Sequence, residues 1–393
     1  MSKEIDTTVI GMGAMGAAAL YQLAKRGENV LGIDQFSPPH SFGSSHGESR
    51  ITRQALGEGE EFVPLALRSY EIWEELEKAT GKKLLHITGG LILESQDSQV
   101  SAHGRFNFLK GTIDSAKKYD IRHDILETSD IKSRFPQFNA TNEKGYYEYK
   151  AGYLLPELCV GVQFELAESF GASLHRNERT LEIVPSDSND KVTIKTDKGE
   201  YESGKVIIAA GPWISKFVKP EYSEFFKVQR QILFWFGIDK AHVAVYSPNN
   251  FPVFVWIFEK GGEFGFYGFP SMDGKTVKLA GEQFSKTTTP ESVDRQVKED
   301  EIRESYTNYV DKRMIGITNV CKKAETCLYT TTPDSGFVID VDPEHPQVII
   351  ASACSGHGFK HSAAIGEVLA ELAINGKSKI DISKFSISRF GRS

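Results

Sequence analysis

Cysteine is scarce in this sequence. Four cysteines, Cys159, Cys321, Cys327 and Cys354, are spread over 393 residues, and their spacing matches neither a metal-binding motif nor a disulfide framework. The sequence therefore predicts a protein that needs no metal ion, and it favours a reducing, cytoplasmic setting.

Long apolar runs and an excess of positive charge are also missing. No apolar run approaches the length of a membrane span, and the polar N-terminus leaves no room for a signal peptide before the first predicted strand. The 46 basic and 53 acidic residues give a formal net charge of −7. We therefore expect neither nucleic acid nor a membrane as a partner.

The stretch from Asp6 to Asp34 has the pattern of a dinucleotide-binding unit. An apolar run is followed by Gly-Met-Gly-Ala-Met-Gly, a helix-forming segment and a second apolar run that ends at Asp34. Gly11 permits a sharp turn, Gly13 leaves room for a pyrophosphate, and Gly16 permits close packing of the helix. Asp34 can accept a hydrogen bond from a ribose and would repel a 2′-phosphate, so the unit predicts NAD or FAD without separating them.

The order of the predicted elements indicates one domain made from both chain ends and a second domain inserted between them. With 40% hydrophobic residues the chain is long enough for two cores. We predict an α/β (α+β) fold with a Rossmann-like domain of residues 1–85, 150–220 and 325–393. Residues 86–149 and 221–324 would form an interleaved substrate domain with a mostly antiparallel β-sheet. Consecutive hairpins of the aromatic strands between residues 225 and 279, with a turn at Gly261-Gly262, would build this sheet. Residues 101–119 and 288–314 are predicted to be helical, and 145–155 irregular.

A long polar segment after Asp34 carries two arginines, Arg50 and Arg53. Long loops inside compact domains are usually functional, and the planar guanidinium fork suits phosphate or carboxylate. A solvated loop with surface arginines is the alternative interpretation.

Three motifs, taken in chain order, resemble the monomeric sarcosine oxidase and N-methyltryptophan oxidase family. They are the glycine turn at 11–16, the loop at 45–53 with the Gly57–Leu65 stretch after it, and Ser-Gly-His-Gly-Phe-Lys at 355–360. The resemblance covers essentially the whole chain. It implies a flavin amine oxidase that carries FAD on a cysteine sulfur, and it matches that cysteine to Cys327. Without the resemblance, a small buried hydrophobe would be the simpler interpretation of Cys327.

The resemblance also implies roles for the candidate catalytic residues. Arg53 and Lys360 would bind a substrate carboxylate, and Lys278 would promote the reaction of reduced flavin with oxygen. Tyr267 and Tyr329 would line the substrate cavity. The implied cofactor-binding residues are Gly11, Gly13, Gly16, Asp34, Ser44, His46, Arg50, Gly211, Cys327, Gly356, His357, Gly358 and Lys360.

One position departs from the family pattern. In sarcosine oxidase a histidine follows the oxygen-activating lysine by four residues, whereas this chain has Glu282 there. A carboxylate would repel a substrate anion and attract a cation. We therefore expect the preferred amine to be bulkier than sarcosine or to carry a second cationic or donor group.

Together these features predict a monomeric FAD-dependent oxidase of N-methyl or other N-alkyl amino acids. Hydride would pass to flavin N5, the imine would hydrolyse to an amine and an aldehyde, and O2 would be reduced to hydrogen peroxide. One alternative is an oxidase or dehydrogenase of a cyclic imino acid or other amine on the same scaffold. A non-catalytic FAD-binding module is the alternative of another class.

Overall fold

The computed structural model describes residues 4–97, 101–102, 105–186, 190–260 and 263–391. Its strands, in chain order, are β1 Ile5–Ile10, β2 Val30–Asp34, β3 Arg50–Thr52, β4 Leu85–Ile87, β5 Gly90–Ser95, β6 Ser101–Ala102, β7 Arg105–Phe106, β8 His123–Leu126, β9 Glu143–Glu148, β10 Gly152–Leu154, β11 Ser173–Arg176, β12 Thr180–Pro185, β13 Val192–Thr196, β14 Glu200–Ile208, β15 Lys227–Ile238, β16 Val253–Lys260, β17 Glu263–Gly268, β18 Thr276–Gly281, β19 Thr287–Thr288, β20 Ile317–Thr331, β21 Val338–Val341 and β22 Val348–Ser352.

The α-helices connect and cover these strands. In chain order they are α1 Ala14–Lys25, α2 Val63–Thr80, α3 Phe108–Lys118, α4 Thr128–Arg134, α5 Pro156–Ser169, α6 Pro220–Ser223, α7 Glu299–Ser305 and α8 Ser362–Asn375. None of the helices in the described ranges is long and apolar enough to cross a membrane.

The predicted N-terminal unit is present as β1, α1 and β2. Gly11 adopts a φ of 86°, and a Cβ there would lie 2.6 Å from the carbonyl oxygen of Ala209. At Gly16 a Cβ would lie 1.9 Å from the carbonyl oxygen of Gly11. Glycine at these two positions therefore allows the chain to turn sharply and lets α1 pack directly on the turn.

The first sheet joins strands from both ends of the chain. Its parallel part has the order β11-β2-β1-β14-β22, in which β14 connects the N-terminal pair to the C-terminal strand. The β12-β13 hairpin continues the sheet beside the start of β14, and β21 pairs antiparallel with β22. Helices α1, α2, α5 and α8 supply residues to the apolar core on one face. This arrangement agrees with the predicted Rossmann-like architecture.

The second sheet has nine strands and is mostly antiparallel, as predicted. Its order is β19-β15-β18-β17-β16-β5-β9-β8, and β20 also pairs with β15. Within the described ranges, β16-β5 is the one parallel pair of this sheet. A core rich in aromatic side chains, including Phe254, Trp256 and Phe266, packs against it. A third, small sheet has the order β3-β10-β4 and holds the start of the Arg50 segment. The domain boundaries given above stay a prediction.

The predictions for three segments were wrong in part. Residues 145–155 are largely extended, because β9 and β10 pair with neighbouring strands. Helix α3 begins at Phe108, after the short β6-β7 hairpin. Residues 289–298 are not helical, because Arg230 on β15 donates hydrogen bonds to the carbonyl oxygens of Asp294 and Gln296 and holds this segment against the sheet. The predicted Gly261-Gly262 turn lies outside the described residues.

A fourth difference concerns the order of the aromatic strands. The sequence suggested consecutive hairpins from β15 onward, and β16, β17 and β18 do form them. Strand β15, however, lies between β18 and β20 and does not pair with β16. Residues 239–252, which include a 3-10 helix over Lys240–Tyr246, separate the two strands in the chain.

Candidate active site

A cavity of about 450 Å³ lies at the carboxyl ends of the parallel strands. Its wall includes Gly11 and Gly13 from the N-terminal turn, Gly211 after β14, and Gly356 and Gly358 after β22. Cavities of this size at the carboxyl end of a parallel sheet are typical cofactor sites. The fold therefore brings glycines from three distant parts of the chain to one cavity.

The N-terminal turn has the chemistry of a dinucleotide cradle. Helix α1 begins beside the cavity, where its backbone N–H groups and dipole favour a pyrophosphate. The carboxylate of Asp34 accepts hydrogen bonds from the backbone N–H groups of Met12, at 2.8 Å, and Phe36, at 2.8 Å. Asp34 also lines the cavity, so its carboxylate can accept from a ribose hydroxyl. The residues present fit the adenosine and pyrophosphate of FAD.

Cys327 lies near the cavity in strongly polar surroundings. Its sulfur is 3.5 Å from Nη2 of Arg50, and the same nitrogen donates to the carbonyl oxygen of Ser44 at 2.9 Å. Burial raises the pKa of the thiol, but the neighbouring His46 and the charge of Arg50 outweigh burial and lower the pKa to about 7. A thiol in these surroundings is substantially ionised at neutral pH and is a nucleophile.

His46 is the cationic partner of this thiol. Burial opposes its protonation, but Cys327 and the carboxylate of Glu325, which lies 3.7 Å from Nδ1, raise the pKa of His46 to about 8. The ion pairs with His46 and Lys323 in turn lower the pKa of Glu325 to about 2. The backbone carbonyl group of Ser44 and the side chains of His46 and Arg50 therefore form one polar cluster with Cys327.

Lys278 on β18 is buried and held by backbone oxygens. Its Nζ donates to the carbonyl oxygens of Gly47, at 2.5 Å, and Ser49, at 2.8 Å, and lies 3.2 Å from Oγ of Ser49. Its Nζ also lies 4.5 Å from the ring centre of Phe269. Burial, reinforced by the charge of Arg50, lowers the pKa of Lys278 well below its ordinary value.

Arg53 and Lys360 converge on one carboxylate. Nη2 of Arg53 lies 2.6 Å, and Nζ of Lys360 3.4 Å, from Oε1 of Glu58. All three side chains are buried. Burial and the charge of Arg53 lower the pKa of Lys360 to about 8, although Glu58 opposes this effect. The two predicted cations therefore lie together at Glu58, and their contact with a substrate carboxylate stays a prediction.

Tyr329 and Glu282 are in direct contact. The hydroxyl group of Tyr329 donates to Oε1 of Glu282 at 2.9 Å, and both residues are buried. Strand β18 ends at Gly281, one residue before Glu282. Burial raises the pKa of Tyr267 and of Tyr329, so both side chains remain neutral phenols. Glu282, the carboxylate that departs from the family pattern, is thus hydrogen-bonded to Tyr329, one of the two predicted cavity tyrosines.

Some predicted cofactor residues do not belong to the cavity wall. The ring of His357 stacks at 4.7 Å on Phe337, and its Nε2 is 3.1 Å from the carbonyl oxygen of Ser335. Gly16 contacts the turn and not the cavity. These two positions shape the elements around the site. His46, Cys327 and Lys360 do not line the cavity either, and the contact of all five residues with a cofactor stays a prediction.

Sequence reasoning assigned no role to three glutamates that contact the predicted site. Glu58 contacts the cation pair, Glu148 accepts hydrogen bonds from the backbone just after Arg53, and Glu157 accepts from the backbone of Gly47. Of the three, only Glu58 could have been identified from the sequence, because it lies between two glycines a few residues after Arg53.

Comparison with known proteins assigns the class. The profile of the FAD dependent oxidoreductase (DAO) family matches residues 6–372. The structure of NikD, described as an unusual amino acid oxidase essential for nikkomycin biosynthesis, superposes with a TM-score of 0.83 at 22% identity, over 98% of each chain. L-proline dehydrogenase from P. horikoshii superposes with a TM-score of 0.79, also at 22% identity, over 99% of this chain and 98% of its own. The chain is an FAD-dependent oxidoreductase.

More similar sequences narrow the assignment. Monomeric sarcosine oxidase of Streptomyces avermitilis is 37% identical over 99% of this chain and 98% of its own. N-methyl-L-tryptophan oxidase of Yersinia pestis (strain Pestoides F) is 33% identical over 98% of this chain and 100% of its own. The chain belongs to this family of flavin-dependent amine oxidases, which confirms the resemblance found in the sequence.

Proposed function

We propose that the protein oxidises N-methyl or other N-alkyl amino acids and produces hydrogen peroxide. The observation that carries the proposal is the convergence of Arg53 and Lys360 on a single carboxylate oxygen of Glu58. Two buried cations that already share the carboxylate of Glu58 can also bind the carboxylate of a substrate. The planar guanidinium group of Arg53 beside the ammonium group of Lys360 would orient that carboxylate. Names of relatives support a secondary amine as the reacting group.

Positioning is the main contribution of these residues to catalysis. With its carboxylate on Arg53 and Lys360, the substrate would hold its amine and N-alkyl carbon at one fixed point. The positive charges of Arg50 and Lys360 favour the neutral form of the amine, which is the form that releases hydride. Bound FAD supplies the hydride acceptor and returns the electrons to oxygen.

Lys278 is proposed to stabilise the negative charge that develops on oxygen. It is fixed before the reaction by the carbonyl oxygens of Gly47 and Ser49, so little reorganisation is needed when charge appears. A preorganised N–H donor of this kind contributes a few kcal/mol, about as much as an oxyanion-hole donor.

Cys327 is proposed to hold FAD covalently: its sulfur would replace one hydrogen of the flavin 8α-methyl group, and the two electrons released would be taken up by the flavin and then by oxygen. The support is chemical: the thiol has a pKa of about 7, and His46 and Arg50 favour its anion. We further infer a monomeric, cytoplasmic protein. The name of the Streptomyces relative supports the monomer, and the lack of disulfide spacing supports the location.

Acid denaturation tests the attachment. If the flavin is covalent, its absorbance and mass stay with the wild-type polypeptide, and a Cys327→Ala variant releases it. Cys354→Ala is the matched control, because Cys354 lines the cofactor cavity, and this variant should keep the flavin. Free release from the wild type would refute attachment.

The buried carboxylate of Glu282 leads to a prediction about the preferred amine substrate. We expect sarcosine not to have the highest kcat/KM in a panel of secondary amines, because a buried carboxylate next to Tyr329 favours an added cationic or donor group. Replacing the carboxylate by the family's histidine, Glu282→His, should raise kcat/KM for sarcosine relative to the preferred amine by about tenfold, the equivalent of about 1.4 kcal/mol. Peroxide detection measures both. Sarcosine as the best wild-type substrate would contradict the expectation.

A further inference from the structure

Two glutamates from elsewhere in the chain accept hydrogen bonds from the backbone of the polar segment that carries Arg50 and Arg53. We define the arginine loop as residues 44–58. Its backbone N–H groups donate at two points to carboxylates of a later part of the chain, Glu148 at the end of β9 and Glu157 in the first turn of α5. Each carboxylate accepts two consecutive N–H groups.

Glu157 fixes the part of the loop that holds Lys278. Its Oε1 accepts from the N–H groups of Gly47, at 2.6 Å, and Glu48, at 3.2 Å. Both residues have positive φ, 95° and 70°, a conformation that a non-glycine residue keeps only when its surroundings impose it. The side chain of Glu48 is held as well, because Nε1 of Trp235 donates to it at 2.9 Å.

The conformation of residues 47–49 in turn determines the position of the Lys278 side chain. Gly47 and Ser49 are the chain neighbours of Glu48. The backbone carbonyl oxygens of both accept a hydrogen bond from Nζ of Lys278. If the N–H groups of residues 47 and 48 lost their acceptor, these carbonyl groups would rotate. The ammonium group would then lose the two oxygens that set its position.

Glu148 fixes the part of the arginine loop that follows Arg53. Its two carboxylate oxygens accept from the N–H groups of Gln54, at 2.7 Å, and Ala55, at 3.0 Å, and Tyr146 donates to it at 3.0 Å. The carbonyl oxygen of Ala55 in turn accepts from Nη1 of Arg53 at 2.7 Å. Glu148 is 1% exposed, so no water replaces it as an acceptor.

We propose that Glu157 and Glu148 are positioning residues that each serve one half-reaction. Glu157 acts through residues 47–49 on Lys278 and thus on flavin reoxidation by oxygen. Glu148 acts through residues 54–55 on Arg53 and thus on binding of the substrate carboxylate. The inference rests on the proposed function, because it assigns the two half-reactions to these cations.

Stopped-flow measurements on the holoenzyme test the inference. Glu157→Gln should slow reoxidation of the reduced flavin by about tenfold or more, the size expected when a charged hydrogen bond is lost. It should leave the substrate Kd and the rate of anaerobic flavin reduction within about twofold of the wild type. Glu148→Gln should weaken substrate binding by about tenfold or more and leave reoxidation within about twofold.

The two variants are matched controls for each other, because each replaces a carboxylate that accepts two N–H groups of the same loop. Glu77→Gln is a third control. Glu77 accepts from the backbone of Leu84 and Leu85, at 2.7 and 2.8 Å, outside the loop, and the substitution should leave both half-reactions unchanged. If a Gln variant does not fold, the Asp variant at the same position, which keeps the charge but is one methylene shorter, should show the same selective effect at smaller size.

Equal effects of both loop variants on both half-reactions, or no effect on either, would overturn the inference. Failure of the proposed function gives a different result: no N-alkyl amino acid then reduces the flavin of the wild-type protein. In that case the inference fails together with the function, and the wild-type measurement alone identifies the cause.

Discussion

A buried thiol surrounded by positive charge explains how Cys327 can act as a nucleophile. Burial alone would keep the thiol protonated, but His46 and Arg50 reverse the effect and lower its pKa to about 7. Because ionisation depends mainly on His46, the reactivity of the cysteine depends on a residue 281 positions earlier in the sequence.

The attachment rate of FAD should depend on pH in a defined way. When apoprotein made without riboflavin is mixed with FAD, the rate of covalent incorporation should rise with pH and reach half its maximum near pH 7, because the thiolate attacks. In His46→Asn the midpoint should move up by about one pH unit or more. In-gel flavin fluorescence measures the rate. The same midpoint in both proteins would show that His46 does not control the thiol.

Lys360 gives a second pH-dependent property. Its pKa is lowered to about 8, so Lys360 loses its charge as the pH rises through about 8. The Kd of a simple carboxylate without an amine should therefore rise above that pH, as followed by the flavin absorbance of the holoenzyme. Arginine stays protonated at these pH values, so Lys360→Arg should remove the increase. A flat Kd between pH 7 and 10 in the wild type would contradict the assigned role.

The sequence showed most of the site's cations but few of their anionic partners. Arg50, Arg53 and Lys360 belong to motifs of the family. Glu148 and Glu157, in contrast, follow Arg53 by about a hundred residues and form no motif with the loop. Their role depends on hydrogen bonds to backbone N–H groups, which any acceptor of suitable reach can provide. Only the tertiary structure could identify them.

Predictions for the elements were accurate where local rules decide the structure. The β1-α1-β2 unit follows from its glycines and apolar runs, and α2 and α8 end at Gly81 and Gly376, which have positive φ. The charged residues 289–298 have no helix, because Arg230 binds their carbonyl oxygens. A contact between distant parts of the chain thus prevailed over local helix propensity.

The close contact of α1 with the glycine turn predicts a specific loss on substitution. A Cβ at Gly16 would lie 1.9 Å from the carbonyl oxygen of Gly11, so Gly16→Ala should displace the helix. We expect the free energy of unfolding to fall by about 1–3 kcal/mol and FAD binding to weaken. Gly161→Ala in α5 is the control, because its Cβ has no neighbour within 4 Å, and alanine should stabilise this helix by up to about 1 kcal/mol. Chemical denaturation and FAD titration measure both effects. Equal results for the two variants would contradict the account.

At the scale of the whole molecule, the cofactor cavity links the two ends of the chain. Its wall combines Gly11 and Asp34 with Gly211, Gly356 and Phe359. A ligand there contacts segments that are up to 348 residues apart in the sequence, and it binds only when the first sheet is assembled. Cofactor binding and folding should therefore be coupled.

Thermal unfolding of the Cys327→Ala variant tests this coupling, because its flavin can be removed and restored. Free FAD at 100 times its Kd should stabilise the folded state by about 2.7 kcal/mol, and Tm should rise accordingly. AMP is a useful control, since it can occupy only the part of the cavity near Asp34 and should give a smaller rise. An unchanged Tm with bound FAD would show that the cavity is not formed by the assembled sheet.

The most direct test of the central claim is an anaerobic reaction followed by admission of oxygen. We predict that an N-alkyl amino acid bleaches the flavin absorbance of the purified protein, and that oxygen then restores it with one equivalent of hydrogen peroxide. In Arg53→Met the same bleaching should require much higher substrate concentrations. A flavin that no N-alkyl amino acid reduces, or a reduced flavin that oxygen does not reoxidise to give peroxide, would contradict the assignment as an amine oxidase.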